Sequence, residues 1–240
     1  MPLTFLLLVA PIVAGFINYP PPNLPHDAGV MESPLYRAFV GKDYQQSFVF
    51  ANNSTRRAQE ETYVPVNRSV SWTAIGVKDG EVIELFVETV GRVLDYCSIS
   101  PPIASCNVLN NTLVSVMLKG PHHRLSLELF RNREEGIVDD ALLLFTDPLP
   151  SPPPSPSSSV LSFSAGYHRL SGQETVSDDV KTIYFAPGAV VEGGLVLGEG
   201  CGVVEIIGEG GVMVGTAFPF LSPDFPWALL EMDAGFGHFV

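Results

Sequence analysis

The stretch Thr182-Ile-Tyr-Phe-Ala-Pro-Gly-Ala-Val-Val-Glu-Gly193, with Val204-Glu-Ile-Ile-Gly-Glu-Gly-Gly-Val-Met-Val-Gly215 after it, decides the fold of the C-terminal third. Its apolar content comes in short runs rich in Val and Ile, each bounded by glycine: Lys181–Phe185, Ala189–Val191, Leu195–Leu197, Val203–Ile207 and Val212–Val214. Runs this short carry no helical period and read as strands separated by turns. Phe163-Ser-Ala-Gly166 anticipates Phe185-Ala-Pro-Gly188 at an offset of 22 residues. A strand-and-turn unit recurring every 20 to 25 residues or so predicts a solenoid, in which each strand pairs with its equivalent on the next coil.

Immediately upstream lies Pro148-Leu-Pro-Ser-Pro-Pro-Pro-Ser-Pro-Ser-Ser-Ser159. Proline fixes φ and removes backbone donors, so this segment is expected to be an extended polyproline II spacer. Before it, strands alternate with turns. Ser69–Ile75 ends at Lys78-Asp79-Gly80, an Asp-Gly hairpin signal. Glu81–Glu88 sets Ile83, Leu85 and Val87 on one face and Glu84 and Glu88 on the other. Asn111–Leu118 is broken by Lys119-Gly120-Pro121, Arg124–Phe130 alternates Leu125, Leu127 and Leu129 against Ser126 and Glu128, and Ala141–Phe145 is continuously apolar. Short strands at this spacing predict an antiparallel β-sandwich. The expected organisation is a sandwich over 28–147, a linker over 148–159 and parallel coils over 160–240.

Composition bounds the function. The 240 residues are 46% hydrophobic and 16% charged, with 22 Gly and 21 Pro, which suits a turn-rich β protein with a sizeable core. A net charge of −13 repels polyanions, so nucleic acid and anionic membrane surfaces are poor partners. An uncharged polysaccharide meets no such barrier. The apolar start Met1-Pro-Leu-Thr-Phe-Leu-Leu-Leu-Val-Ala-Pro-Ile-Val-Ala14 is too short to span a bilayer and is followed by small residues. Residues 1–15 are therefore read as a signal peptide, although the usual basic start is missing; the alternative is a buried N-terminal strand. Two other features agree with export to the extracellular space. Cys97 and Cys106, with eight residues between them, can close a local disulfide across a hairpin. Glycosylation sequons fall at Asn52, Asn53, Asn67 and Asn110. Cys201 is left over and reads as a small core residue.

The more tempting chemical groups have plain explanations. Asp178-Asp179 sits in a polar turn, and consecutive strand residues would in any case point to opposite faces. Asp139-Asp140 reads the same way. His122-His123 follows Gly120-Pro121 in an expected hairpin turn with no companion ligands, so the pair reads as turn residues. Gly208-Glu-Gly-Gly211 lacks the Lys-Ser/Thr and the helix of a phosphate loop. Phe218, Phe220, Phe225 and Trp227 can stack on sugar rings or cover the open end of the solenoid, and the second reading is preferred. No catalytic, cofactor-binding or metal-ligating residue and no cofactor is expected.

The Thr182–Gly193 and Val204–Gly215 segments, with Phe163-Ser-Ala-Gly-Tyr-His168 upstream, resemble the opening coils of the pectin-lyase-like β-helix. The preceding unit, through Val90-Gly-Arg-Val-Leu-Asp-Tyr-Cys-Ser-Ile-Ser-Pro101, Leu127-Glu-Leu-Phe130 and Leu142-Leu-Leu-Phe-Thr-Asp-Pro148, resembles the N-terminal β-sandwich of glycoside hydrolase family 49. That family holds dextranase- and isopullulanase-like enzymes and is related to the polygalacturonases. The resemblance implies an all-β fold: a sandwich followed by the first coils of a right-handed parallel β-helix. It also implies inverting glycoside hydrolysis, with one carboxylic acid protonating the leaving oxygen and a carboxylate activating water. The family's catalytic aspartates lie on coils beyond the matching motifs, so none is carried onto this chain. The expectation is the N-terminal portion of a secreted polysaccharide hydrolase, inactive by itself for want of those coils. The alternative is a non-catalytic carbohydrate-binding or wall-associated glycoprotein.

Overall fold

A computed structural model of the chain describes residues 15–19, 22–52, 71–131, 140–198, 200, 204–208, 212–214 and 238–239. Nineteen strands and no helix occur among these residues. Strands are numbered in chain order. The first sheet contains β1 (Phe16–Asn18), β2 (Val30–Glu32), β5 (Phe50–Asn52), β6 (Ser71–Val77), β8 (Tyr96–Ser100), β11 (His123–Phe130) and β12 (Asp140–Pro148). Its order is β2-β5-β6-β12-β11-β8, with β1 also paired to β6. The second sheet contains β3 (Tyr36–Val40), β4 (Gln45–Ser47), β7 (Val82–Thr89), β9 (Ser105–Asn110) and β10 (Leu113–Lys119), in the order β4-β3-β7-β10-β9.

The two sheets share one core, and the alternation seen in the sequence builds it. Ile83, Leu85 and Val87 of β7 and Val114, Val116 and Leu118 of β10 lie in the same buried cluster as Leu125, Leu127 and Leu129 of β11 and Leu142 and Leu144 of β12. Each such side chain stabilises the fold by about 1.5–3 kcal/mol through removal from water.

Four local expectations are corrected. β12 runs parallel to β6, with Leu142 opposite Ser71 and Phe145 opposite Ala74, so the first sheet is mixed. The Asp79-Gly80 turn is no hairpin, because β6 belongs to the first sheet and β7 to the second. Gly120–His122 likewise carries the chain from β10 to β11 across the core. A hairpin signal reports the tightness of a turn, and here sharing a core across two sheets outweighs pairing within one. β1 also joins the first sheet from upstream of the boundary set at residue 28, pairing Phe16 with Val77.

The remaining strands form two parallel stacks. One is β13 (Val160–Phe163), β15 (Thr182–Phe185) and β17 (Glu205–Gly208). The other is β14 (Gly166–Val176), β16 (Ala189–Leu197), β18 (Val212–Val214) and β19 (His238–Phe239). The 22-residue repeat is a physical register, since Phe163 lies opposite Phe185 and their rings stack with centroids 5.1 Å apart. Phe163, Val176, Val180, Ile183, Phe185, Ala189, Val191 and Val204 fill a core of their own. Ala189–Val191 and Leu195–Leu197, two runs in the sequence, belong to one strand whose chain passes through Gly193 at φ +132°. A Cβ there would sit 2.6 Å from that of Leu170, so only glycine fits this close approach.

The first sheet is covered on both faces. Every residue of β6 is buried: Ile75 and Val77 face the two-sheet core, while Trp72 faces the coils. Trp72 stacks on Phe50, and with Val30 and Val190 they form a third cluster, flanked by Leu143, Phe145 and Tyr167. This apolar seam joins the two-sheet unit to the coiled unit.

Candidate functional site at the junction of the two units

At the rim of that seam the coils present a polar cluster. Parallel pairing of β14 with β16 sets Tyr167 beside Val190 and Arg169 beside Glu192. Residues two apart on a strand share a face, so Tyr167 and Arg169 project together toward Glu192. The Tyr167 hydroxyl donates to Glu192 Oε2 at 2.5 Å, and the Gly29 N–H donates to the same oxygen at 2.9 Å. Arg169 Nε donates to the Tyr167 hydroxyl at 2.9 Å. Its Nη1 donates to Asp27 Oδ2 at 2.9 Å, and its Nη2 stands 3.7 Å from Glu192 Oε2. Asp27 and Gly29 belong to the two-sheet unit, so two of these bonds cross the junction.

The electrostatics fix what this cluster can do. Partial burial disfavours the Glu192 charge, but the Tyr167 hydroxyl, the Gly29 N–H and the Arg169 guanidinium more than offset it, and the carboxyl is held below its ordinary value. Burial, reinforced by the bond to Glu192, pushes the Tyr167 phenol up to about 12. Asp27 and Tyr167 hold the Arg169 guanidinium firmly protonated. Near neutral pH, then, Glu192 stays ionised and Tyr167 keeps its proton. A carboxylate with two donors and a facing cation is a poor proton carrier. The arrangement is a clamp between the two units rather than an acid–base pair.

The groups singled out in the sequence are scattered. Asp178 and Asp179 are exposed in the turn before Val180, and Lys181 Nζ donates to the Asp178 carbonyl at 3.1 Å. His123 Nε2 bonds the Lys119 carbonyl at 2.8 Å, and His122 holds a left-handed turn conformation at φ +69°. Asp140 begins β12, and Gly208 ends β17. Asn110 is exposed at the end of β9, where its Oδ1 accepts from the Thr112 N–H at 2.9 Å, closing the sequon on itself. Cys97 of β8 and Cys106 of β9 are joined by a disulfide with Cα atoms 6.2 Å apart. It ties the edge of one sheet to the edge of the other and not the arms of a hairpin. Asn53, Asn67, Asp139, Cys201, Glu209–Gly211 and the four aromatics from Phe218 to Trp227 lie outside the described residues, as does the side chain of Asn52. Among the described residues no three His, Cys, Asp or Glu side chains group as a metal site.

The sequence reading missed the clamp. Arg169 and Glu192 are 23 residues apart, close to the repeat that pairs Phe163 with Phe185, so extending that register would have brought them together. Asp27 and Gly29 carry no signal, because they come from the other unit.

No protein-family model matches the chain, and neither does any curated protein sequence. Comparison of folds does find likeness. The fold is like that of glycoside hydrolase family 49, as the Phe185-Ala-Pro-Gly188 and Ile206-Ile-Gly208 motifs suggested. Among the solved structures it matches is Dex49A from Penicillium minioluteum, with a TM-score of 0.53 and 14% sequence identity over 85% of this chain. The chain spans 58% of the length of that protein. Identity this low establishes shared architecture and no more.

Proposed function

We propose that this chain is the N-terminal portion of a secreted polysaccharide hydrolase, a β-sandwich followed by the opening coils of a right-handed parallel β-helix. The observation that carries the reading is the likeness to Dex49A, which extends over 85% of the chain and so takes in both units. The substrate class is a polysaccharide, a neutral glucan or cell-wall glycan, consistent with the strong negative charge. In this reading the sandwich and first coils form the scaffold on which an inverting pair of carboxylates is presented elsewhere. The 240 residues alone do not hydrolyse glycan. Glu192, the partly buried carboxylate of the described coils, is committed to the clamp, and Asp178 and Asp179 are exposed turn residues.

Secretion follows from the same reading. Residues 1–15 act as a signal peptide, leaving β1 at the start of the mature chain. The Cys97–Cys106 disulfide persists in an oxidising compartment, and Asn52, Asn53, Asn67 and Asn110 are the glycan acceptors. The alternative, a non-catalytic carbohydrate-binding glycoprotein, is favoured by that commitment of Glu192.

Purified chain is incubated with dextran, pullulan and polygalacturonate, and reducing ends are measured; none should appear above a boiled control. Steady release from any of the three refutes the claim of inactivity. Expression in a eukaryotic host should deliver the protein to the medium with Gly15 or Phe16 as its first residue. Retention in the cell with Met1 intact refutes the secretory assignment.

A further inference from the structure

The geometry points to a sugar-binding platform on the outer face of the five-stranded sheet, centred on Tyr44 and remote in sequence from the coils; its ligand class, a neutral glucan, rests on the function proposed above. On β3 and β7 the residues that alternate with the core point outward, and the register aligns Phe39 with Phe86 and Arg37 with Glu88. β10 and β9 continue the first row with Ser115 and then Asn107, and Met117 lies beside Glu84. The sheet therefore carries an aromatic row flanked by Arg37 and Glu88 on one side and by Glu84 and Met117 on the other.

Tyr44 completes this row from the turn between β3 and β4. Its ring stacks on Phe86 with centroids 4.6 Å apart and 28° between the planes, and Phe39 meets it edge-on at 6.4 Å. Phe86 is thereby buried, while Tyr44 itself remains 53% exposed. The Tyr44 backbone sits at φ +50°, a conformation uncommon for a bulky side chain and one in which glycine or asparagine would rest more easily. A large ring held there, backed by one aromatic and braced by another, presents one pre-oriented face to solvent.

A fixed aromatic face suits the C–H face of a pyranose ring, and hydrogen-bonding groups beside it suit the hydroxyls. Those groups are present: Arg37 and Glu88, paired at 3.9 Å, on one side, and Glu84 on the other, with Asn107 at the end of the aromatic row. Arg37, and Lys119 at the end of β10 opposite Val82, balance Glu84 and Glu88, so this face favours neither cations nor anions, while the chain's net charge of −13 repels acidic polymers. An uncharged glucan is the occupant that fits both facts.

The test is affinity electrophoresis of the whole chain in gels containing dextran or pullulan, with polygalacturonate as the anionic arm. The chain should be retarded by at least one neutral glucan and not by polygalacturonate. Tyr44→Gly, which relieves the backbone strain and so folds, should lose about tenfold in apparent affinity. Tyr44→Trp should retain it, and Val93→Ser, on the loop after β7, should leave it unchanged. Far-UV circular dichroism checks that each variant is folded. Retardation of Tyr44→Gly equal to that of the parent chain overturns the platform while leaving glucan binding to the rest of the molecule. Absence of retardation by either neutral glucan overturns it outright. A dimer dispersed by Tyr44→Gly would show instead that a second copy covers this face.

Discussion

The clamp at the junction supplies a sharp test of how the two units are held together. Glu192→Gln keeps the size and one acceptor oxygen but removes the charge that Tyr167, Gly29 and Arg169 surround. Hydrogen bonds to a charged group contribute about 1.5–3 kcal/mol each when buried. This carboxylate is 27% exposed and the guanidinium 41%, so screening brings the expected loss to about 1–2 kcal/mol for the whole substitution at pH 7. The pH dependence sets this apart from a packing defect. Because the Glu192 carboxyl is held below its ordinary value, its contribution is complete above the unfolded carboxyl pKa of about 4.3 and is lost as pH falls through the folded value. The penalty of Glu192→Gln should therefore shrink toward zero in acid, where the parent side chain is itself protonated. Asp27 and Arg169 face the same site, and Asp27 is the second carboxylate in it. The comparison is accordingly repeated in an Asp27→Asn background. Urea unfolding followed by circular dichroism at pH 7, 5 and 3 gives the three stabilities. An equal penalty at pH 7 and pH 3 would refute the electrostatic account.

Three further substitutions probe the scaffold. Phe185→Ala should destabilise by about 3–5 kcal/mol, and a double-mutant cycle with Phe163→Ala should show about 0.5–1.5 kcal/mol of coupling from the stacked rings; additive effects would mean the repeat register is not energetic. Replacing both Cys97 and Cys106 by Ser should lower stability by about 2–3 kcal/mol, the loop-closure value for so short a loop, measured as a shift in the urea midpoint that the reduced parent chain reproduces. Gly193→Ala should lose about 2 kcal/mol or more, against about 1 kcal/mol for Gly80→Ala, where φ is also positive but nothing lies within 4 Å of the added methyl; equal losses would remove the role assigned to Leu170.

The strands with strict alternation were legible in the sequence because burial on one face writes itself directly into the residue pattern. Leu125, Leu127 and Leu129, and Ile83, Leu85 and Val87, lie in the core as that pattern requires. The 22-residue repeat was legible for the same reason: Phe163 and Phe185 stack because a period repeated in sequence is a period repeated in space. What stayed hidden was long-range. Nothing near Asp79-Gly80 says which sheet the next strand joins, and the parallel pairing of β12 with β6 depends on segments some seventy residues apart. The short strands β2, β4 and β5 have three residues each, too few for a period to register. β14 was only partly visible, since most of its length is exposed and polar. The clamp joins Asp27 to Arg169 across 142 residues, and no local pattern encodes such a meeting.

The wholly buried β6 has a consequence for how the molecule comes apart. Its two faces serve two cores, and Trp72 and Phe50 lean on Val190 of the coils. Cutting the chain in the proline-rich segment would leave Val30, Phe50, Trp72 and Phe145 bare on one side of a sheet, an adhesive surface in water. Neither half owns all of its own interior. A segment that looks like a hinge on paper thus joins parts that share an apolar cluster, and the cover of Trp72 extends to Val190.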